Sequence, residues 1–135
     1  MISLIVPTFN EAGTIEELIR RAATALSASS ETFEIVVVDD ASQDGTDSIV
    51  ESLSDEYPVR VLRRKGRLGL ASAVIEGWNR SVGDKLGVMD GDLQHPPEHL
   101  SKLVKGLQEQ NADIAVASRH VQGGTSKLSP VRAFI

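Results

Sequence analysis

The sequence predicts an α/β fold with an open, mainly parallel sheet and helices on both of its faces. Short apolar, β-branched runs alternate along the chain with segments whose apolar residues recur at helical spacing. The apolar runs are nearly continuous, which is typical of strands buried on both faces of a parallel sheet. The chain has 135 residues, 41% of them hydrophobic, which suffices for a sizeable core, so we expect a single domain over residues 1–135.

This alternation justifies five strands and four helices in the order β-α-β-α-β-α-β-α-β, joined by right-handed crossovers. The predicted strands cover residues 2–6, 33–38, 59–62, 85–89 and 113–117. The predicted helices cover residues 14–28, 46–53, 70–82 and 97–110. Thr14 and Glu17 have the spacing of a capping box at the start of the first helix, and Pro97 suits the first turn of the fourth.

The charge and cysteine content exclude several classes of protein. The chain has 14 basic and 19 acidic residues, a formal charge of −5, and its basic residues are not pooled, which argues against a nucleic-acid partner. Without cysteine it has neither disulfides nor thiolate metal sites. No apolar run approaches the ~20 residues of a membrane span. Because the chain ends on apolar Phe134 and Ile135, we expect it to be truncated at its C-terminus, the first part of a longer protein.

Polar clusters follow all five predicted strands. They are "PTFNE", "DDASQDG", "RRKGRLG", "DGDLQHPPE" and "SRHVQGG", whereas the segments that precede the strands are blander. The carboxyl ends of parallel strands share one edge of the sheet, and ligands of open α/β sheets bind in the crevice beyond that edge. The sequence therefore predicts a ligand site there.

Asp90 and Asp92 stand at i and i+2 after the fourth strand, so on extended backbone their side chains point the same way. Two carboxylates so close repel each other unless a cation lies between them. Gly91 lets the backbone approach a ligand, and Gln94 can reach the same ion. Oxygen ligands of this kind suit Mg²⁺ or Mn²⁺ holding a diphosphate, although a polar turn with Asp90 as a cap is the simpler alternative.

The clusters after the first two strands offer partners for a nucleoside. Asn10, Glu11, Asp39 and Asp40 can accept from a base or ribose, and capped turns are the structural alternative. Residues 40–51 also match the spacing of a calcium loop, which we reject because a strand precedes them and no second loop occurs.

The remaining basic residues and histidines are less specific. Lys65 and its basic neighbours beside Gly69 suit either phosphate contact or a solvated loop, and the final Lys-Ser/Thr pair of a P-loop is missing. Arg119 follows the fifth predicted strand and can bind a phosphate in a fork, and a surface arginine is the alternative. His95 and His99 are separated by two prolines, which argues against one continuous helix carrying a zinc pair.

The segments "IVPTFNE", "VVDDASQDGT", "GLASAVIEGW", "MDGDLQHPPE" and "SRHVQGG" together resemble the family 2 glycosyltransferases. These enzymes have the Rossmann-like nucleotide-diphospho-sugar transferase (GT-A) fold. The extension "DLQHPPE" and the Ser-Arg-x-x-x-Gly-Gly pattern are similar, more narrowly, to the branch of dolichol-phosphate mannose synthases and other polyprenyl-phosphate glycosyltransferases. The resemblance covers nearly the whole chain.

The resemblance implies roles for individual residues. Asp90, Asp92 and Gln94 would hold the metal, and Asp92 and Arg119 would be the catalytic residues. The residues predicted to bind the nucleotide sugar, from the resemblance and from the loops above, are Pro7, Thr8, Asn10, Glu11, Asp39, Asp40, Lys65, Gly69, Asp90, Gly91, Arg119 and Arg132.

The resemblance further implies an inverting transferase that moves a hexose, above all mannose from GDP-mannose, to a polyprenyl or dolichyl phosphate. The cofactor would be Mg²⁺ or Mn²⁺, and the enzyme would work at the cytoplasmic side of a membrane. Two alternatives stay open: a family 2 enzyme that uses a UDP-sugar and a sugar hydroxyl acceptor, and a sugar-nucleotide-binding module without turnover.

Overall fold

The computed structural model describes residues 1–118. Its elements are β1 (Ile2–Thr8), α1 (Ile15–Ser27), β2 (Phe33–Asp39), α2 (Thr46–Ser52), β3 (Val59–Arg63), α3 (Leu70–Asn79), β4 (Lys85–Val88) and α4 (His99–Gln110). The chain divides into two compact units, residues 1–102 and 103–135, and the whole sheet lies in the first. The expectation of one domain over the full chain stays a prediction. Within the described residues no helix is long and apolar enough to cross a bilayer.

The four strands form one sheet in the order β3-β2-β1-β4, and every neighbouring pair is parallel. From β1 the chain runs outward to β2 and β3, and then returns to the other side of β1 to form β4. With right-handed crossovers, this reversal of direction places the connecting helices on opposite faces of the sheet. The predicted open parallel α/β sheet is therefore confirmed.

The core lies on both faces of the two central strands. All seven residues of β1 and the last five of β2 are buried. On one face Ile5, Val36 and Val38 pack against Ala73 of α3. Gly77 makes this close approach possible, because a Cβ there would lie 2.5 Å from the Cγ2 atom of Ile5. The apolar stripe of α1, which is almost fully buried, covers the alternate side chains of the same strands.

Two expectations for the strands are wrong. Burial on both faces does not extend to β4, where Leu86 and Val88 are 50% and 44% exposed. Residues 113–117 form no strand, and Ile114 and Val116 are 78% and 76% exposed. A β-branched run becomes a strand only when a neighbour supplies hydrogen bonds and a packed face, and among the described residues β4 pairs with β1 alone.

The predicted capping box is also wrong. Thr14 is the N-cap residue of α1, but its side chain makes no capping hydrogen bond to that helix. Glu17 instead pairs with Arg21, one turn further along, at 2.9 Å. The Thr14 hydroxyl instead donates to the carbonyl oxygen of Gly91, in the loop after β4, at 2.7 Å.

Candidate functional site

The crevice at the reversal point of the sheet is bordered by the carboxyl ends of β1 and β4. Residues 9–14 follow β1, and residues 89–98 follow β4. In open α/β sheets this switch point is where ligands bind. The sequence-predicted acidic residues after β4 therefore lie at the position that the fold favours for a ligand.

The loop after β1 is fastened to the loop after β2 by side chains of both. The backbone N–H of Asn10 donates to Ser42 Oγ at 2.8 Å, and Asn10 Oδ1 accepts from the N–H of Gln43 at 2.9 Å. The N–H of Ala12 donates to Asp44 Oδ2 at 3.0 Å. Asn10 was predicted to bind the nucleotide. The side-chain oxygen of Asn10 already accepts from the loop after β2. The side-chain NH2 group is therefore the part of Asn10 that remains to donate to a ligand.

Asp39 ends β2, where its register partner is Thr8 of β1, and Pro7 and Thr8 are both buried. Asp39 is 2% exposed. Its Oδ1 accepts from Thr8 Oγ1 at 3.0 Å and from Ser42 Oγ at 2.6 Å, and its Oδ2 accepts from the N–H of Ser42 at 2.9 Å. Among the described residues Oδ2 thus accepts one hydrogen bond, so its capacity as an acceptor is not filled.

Asp40 holds the loop after β3. Its Oδ1 accepts from Arg64 at 2.6 Å, and its Oδ2 accepts from the N–H groups of Leu68 and Gly69 at 3.0 and 2.8 Å. Gly69 has a φ of 95°, a conformation that favours glycine, and it precedes α3 directly. Both oxygens of Asp40 are thus bonded to the protein, and Asp40 positions the loop on which Gly69 lies.

The basic loop after β3 is not one continuous charged patch. Arg63 forms ion pairs with Asp47 and Glu51 of α2 at 2.6 and 2.7 Å. Arg64 is buried, whereas Lys65 is exposed. Alternate residues thus face solvent and core, and of the two exposed side chains Arg63 is already paired with two carboxylates.

A stacked pair that the sequence did not predict lies at the same edge. The guanidinium of Arg67 lies over the ring of Phe9 at 4.2 Å from its centroid. Phe9 is half-buried directly after β1, and Arg67 is exposed. Planar groups of this kind stack on nucleobases. The sequence carried two signals of this pair. Phe9 is an aromatic residue within the predicted site, and Arg67 is a basic residue between Gly66 and Leu68.

The turn after β4 presents two carboxylates. Asp90 is exposed, Gly91 is buried and Asp92 is half-buried. Asp92 Oδ1 accepts from the N–H of Gln94 at 3.0 Å, which closes the turn, and the Gln94 side chain is exposed. A Cβ on Gly91 would lie 3.1 Å from Thr8 Cγ2, so the turn packs closely against the end of β1.

Negative charge accumulates around this turn. Burial raises the pKa of the Glu11 carboxyl, and the charges of Asp92, Asp44 and Asp90 raise it further. Part of the shift therefore comes from the negative potential of these aspartates. A cation at the turn would remove this repulsion.

The donors at the turn fit a hard divalent cation. Asp90, Asp92 and Gln94 can ligate a cation through oxygen atoms, and Mg²⁺ or Mn²⁺ is usually held by one or two carboxylates together with substrate phosphates and water. Residues 1–118 contain no group of three or more histidine, cysteine or acidic side chains that could hold a metal by themselves. The site therefore suits a cation that arrives with a diphosphate.

The calcium-loop alternative does not fit the geometry of residues 40–51. Its first ligand position, Asp40, is bonded to Arg64. Asp44 accepts from the hydroxyl and the N–H of Thr46, and the hydroxyl bond lowers the pKa of Asp44. Asp40 thus holds the loop after β3, and Asp44 holds the first residue of α2.

Two predicted site residues, Arg119 and Arg132, lie outside the described residues. His95 precedes α4, which begins at His99, so the two histidines do not share a helix.

An open parallel sheet with an aspartate pair at its switch point defines an α/β domain of the nucleotide-binding type. The chain belongs to glycosyl transferase family 2, whose profile matches residues 3–133. Likeness to a solved mannosyltransferase from Pyrobaculum calidifontis confirms the GT-A fold. Its structure, in complex with GDP-Man and Mn²⁺, aligns with a TM-score of 0.68 at 32% identity over 78% of this chain and 32% of that chain.

Two curated relatives carry the same name. A dolichol-phosphate mannosyltransferase from Pyrococcus furiosus is 48% identical over 123 residues, 91% of this chain and 34% of that protein. A dolichol-phosphate mannosyltransferase from Mycosarcoma maydis is 38% identical over 117 residues, 83% of this chain and 40% of that protein. The chain thus spans well under half the length of these relatives.

Proposed function

We propose that the chain is the donor-binding part of an inverting glycosyltransferase that moves mannose from GDP-mannose to a polyprenyl phosphate such as dolichyl phosphate. The observation that carries this proposal is the carboxylate pair Asp90 and Asp92 at the switch point of a family 2 chain. The names of the two curated relatives support the acceptor, and the GDP-Man in the solved mannosyltransferase supports the donor.

Asp90, Asp92 and Gln94 would hold a divalent cation, Mg²⁺ or Mn²⁺, together with the diphosphate of the donor. Such an ion neutralises charge on the diphosphate and so assists its departure. Mn²⁺ in the solved mannosyltransferase supports the choice of a divalent ion. The chain itself supplies the turn that presents the two carboxylates.

The nucleoside would lie over the ends of β1 and β2. Asp39 Oδ2 and the Asn10 amide offer hydrogen bonds, while Phe9 and Arg67 offer planar surfaces for the base. Lys65, which is exposed, would contact a phosphate of the donor. Asp40 and Gly69 would contribute through the shape of their loop.

No general base is needed for this reaction. The acceptor is a phosphate that is already ionised near neutral pH, so its oxygen can attack the anomeric carbon without losing a proton. The donor bond to the diphosphate breaks as the new bond forms on the opposite face, which inverts the configuration. Arg119 and Arg132 are proposed to bind the donor or acceptor phosphate, and the reaction would take place at the cytoplasmic surface of a membrane.

The donor is tested by calorimetry of the 135-residue chain with Mn²⁺ and either GDP-mannose or a UDP-sugar. We expect GDP-mannose to bind at least about tenfold more tightly, 1.4 kcal/mol. Tighter binding of the UDP-sugar would favour the enzyme with a sugar hydroxyl acceptor.

Turnover is tested with radiolabelled GDP-mannose and a polyprenyl phosphate in detergent. The comparison is between the 135-residue chain and a longer form with the length of the curated relatives. We expect lipid-linked product from the longer form and only donor binding by the shorter chain. Donor binding by both forms with turnover by neither would favour the non-catalytic module.

A further inference from the structure

The hydroxyl of Thr14 is directed away from the helix that it begins. An N-cap threonine ordinarily accepts from a backbone N–H in the first turn of its own helix, and Thr14 makes no such bond. Its Oγ1 lies 2.7 Å from the carbonyl oxygen of Gly91, which is 77 residues away in sequence. The carbonyl oxygen and Oε2 of Glu11 are both more distant, at 3.3 Å. The single hydroxyl proton is therefore donated to Gly91.

Gly91 is held from a second side by packing. A Cβ built on Gly91 would lie 3.1 Å from Thr8 Cγ2, 3.3 Å from Glu11 Cγ and 3.5 Å from the carbonyl oxygen of Pro7. The turn therefore rests directly on the end of β1, and the Thr14 hydroxyl fixes its carbonyl group. Asp90 and Asp92 flank Gly91 in the chain. The position of the Gly91 backbone therefore determines the positions of the Cα atoms from which both carboxylate side chains extend.

This turn needs a brace because its charges repel each other. The charges of Asp92, Asp44 and Asp90 each raise the pKa of Glu11, so negative potential accumulates beside the turn. Without a cation the repulsion favours separation of the two carboxylates. A hydroxyl braces the backbone without adding a positive charge that would compete with a cation for the same oxygens.

We propose that Thr14 is a positioning residue for the cation-binding turn and acts through the Gly91 carbonyl. The inference rests on the proposed function, since it assumes that Asp90 and Asp92 hold the cation. Residues that orient metal ligands from behind typically change metal affinity by about 10- to 100-fold when they are removed.

The test compares Mn²⁺ affinity among variants of the 135-residue chain, measured from the electron paramagnetic resonance signal of free Mn²⁺ at a fixed concentration of GDP. Thr14→Val removes the hydroxyl and keeps the shape, and we expect it to raise the Mn²⁺ dissociation constant at least about tenfold. Thr14→Ser keeps the hydroxyl and should stay within about twofold of wild type. Thr24→Val is the matched control, because Thr24 is an exposed residue of the same helix whose hydroxyl donates to the Arg20 carbonyl at 2.9 Å.

Urea unfolding of each variant without metal separates positioning from stability, and Thr14→Ala serves as a second variant without the hydroxyl. Equal Mn²⁺ affinity in wild type and in a folded Thr14→Val or Thr14→Ala would overturn the inference and leave the proposed function intact. If Thr14→Val and Thr14→Ala both fail to fold while Thr14→Ser folds, the hydroxyl is needed for stability, and this result would also overturn the inference. Absence of Mn²⁺ binding in wild type would refute the proposed function itself.

Discussion

Replacing Arg64 by methionine tests whether the loop after β3 is held by a buried ion pair. The side chains of Arg64 and Asp40 are only 4% and 7% exposed, and Nη1 and Oδ1 lie 2.6 Å apart. Arg64 also donates to Ser72 Oγ at 2.7 Å. Its Nε lies 3.1 Å from Glu76 Oε2. The two groups form an ion pair, but the N–H does not point at the oxygen and makes no hydrogen bond. Methionine keeps the apolar stem and leaves the Asp40 carboxylate without its cation.

The expected loss follows from the burial of Asp40. Removing one partner of a buried ion pair costs about 3–5 kcal/mol. Asp40 would keep its hydrogen bonds from the N–H groups of Leu68 and Gly69, so we expect a loss of about 3 kcal/mol. That is a large part of the roughly 5–15 kcal/mol that stabilises a typical domain. At a urea dependence of about 1–3 kcal/mol per molar, the midpoint should fall by about 1–3 M.

The assay is urea unfolding followed by far-ultraviolet circular dichroism. Arg63→Met is the matched control, because the adjacent Arg63 side chain is 45% exposed and its ion pairs are screened by water. It should shift the midpoint much less. Adding Asp40→Asn to Arg64→Met should recover part of the loss, since the unpaired charge is then gone. Equal midpoints for the two arginine variants would refute the reasoning.

Three further predictions concern packing and charge. Gly77→Ala should cost about 1–3 kcal/mol in urea unfolding because its Cβ meets side chains at 2.5 Å, whereas Gly106→Ala, with nothing within 4 Å, should not destabilise the chain. Hydrogen bonds from Arg21 lower the pKa of Glu98 to about 2. Arg21→Gln should return the pKa of Glu98 toward 4.5 in a carboxyl NMR titration, and a value still near 2 would contradict the assignment. The raised pKa of Glu11 means that the native state keeps this proton longer than the unfolded state, so its contribution to stability is lost as the pH rises above 4.5. The stability gained by Glu11→Gln over wild type in urea should therefore grow from pH 4 to pH 7, and a constant difference would contradict it.

Much of the fold could be predicted because its signals are local. The buried runs of β1 and β2 and the apolar stripe of α1 are periodic within a few residues, and the predicted bounds differ little from those observed. The strand expected over residues 113–117 could not be excluded in the same way. Its β-branched composition is local, but a strand also needs a partner, and a sequence pattern does not reveal one.

The candidate site shows the same division between local and distant signals. Asp90 and Asp92 follow an apolar run, so their place at the sheet edge was predictable. Asp40 was expected to hold the nucleoside, and its bond to Arg64, 24 residues away, was not visible in the sequence. The Thr14 hydroxyl likewise matched a local capping pattern, while its partner Gly91 is 77 residues away. Where a side chain has several possible hydrogen-bond partners, the tertiary structure determines which partner it binds.

Calorimetry of GDP binding, with Mn²⁺ or with a chelator, to wild type and Asp92→Asn tests most directly whether the switch-point crevice is a metal-dependent donor site. We expect wild type to bind GDP in the presence of Mn²⁺ and to lose at least about tenfold in affinity, 1.4 kcal/mol, with the chelator. Asp92→Asn should show weak binding under both conditions, yet unfold in urea at the same or a slightly higher concentration without metal, because one repelling charge is gone. GDP affinity that is unchanged by the chelator and by Asp92→Asn would contradict the metal assignment and the function built on it.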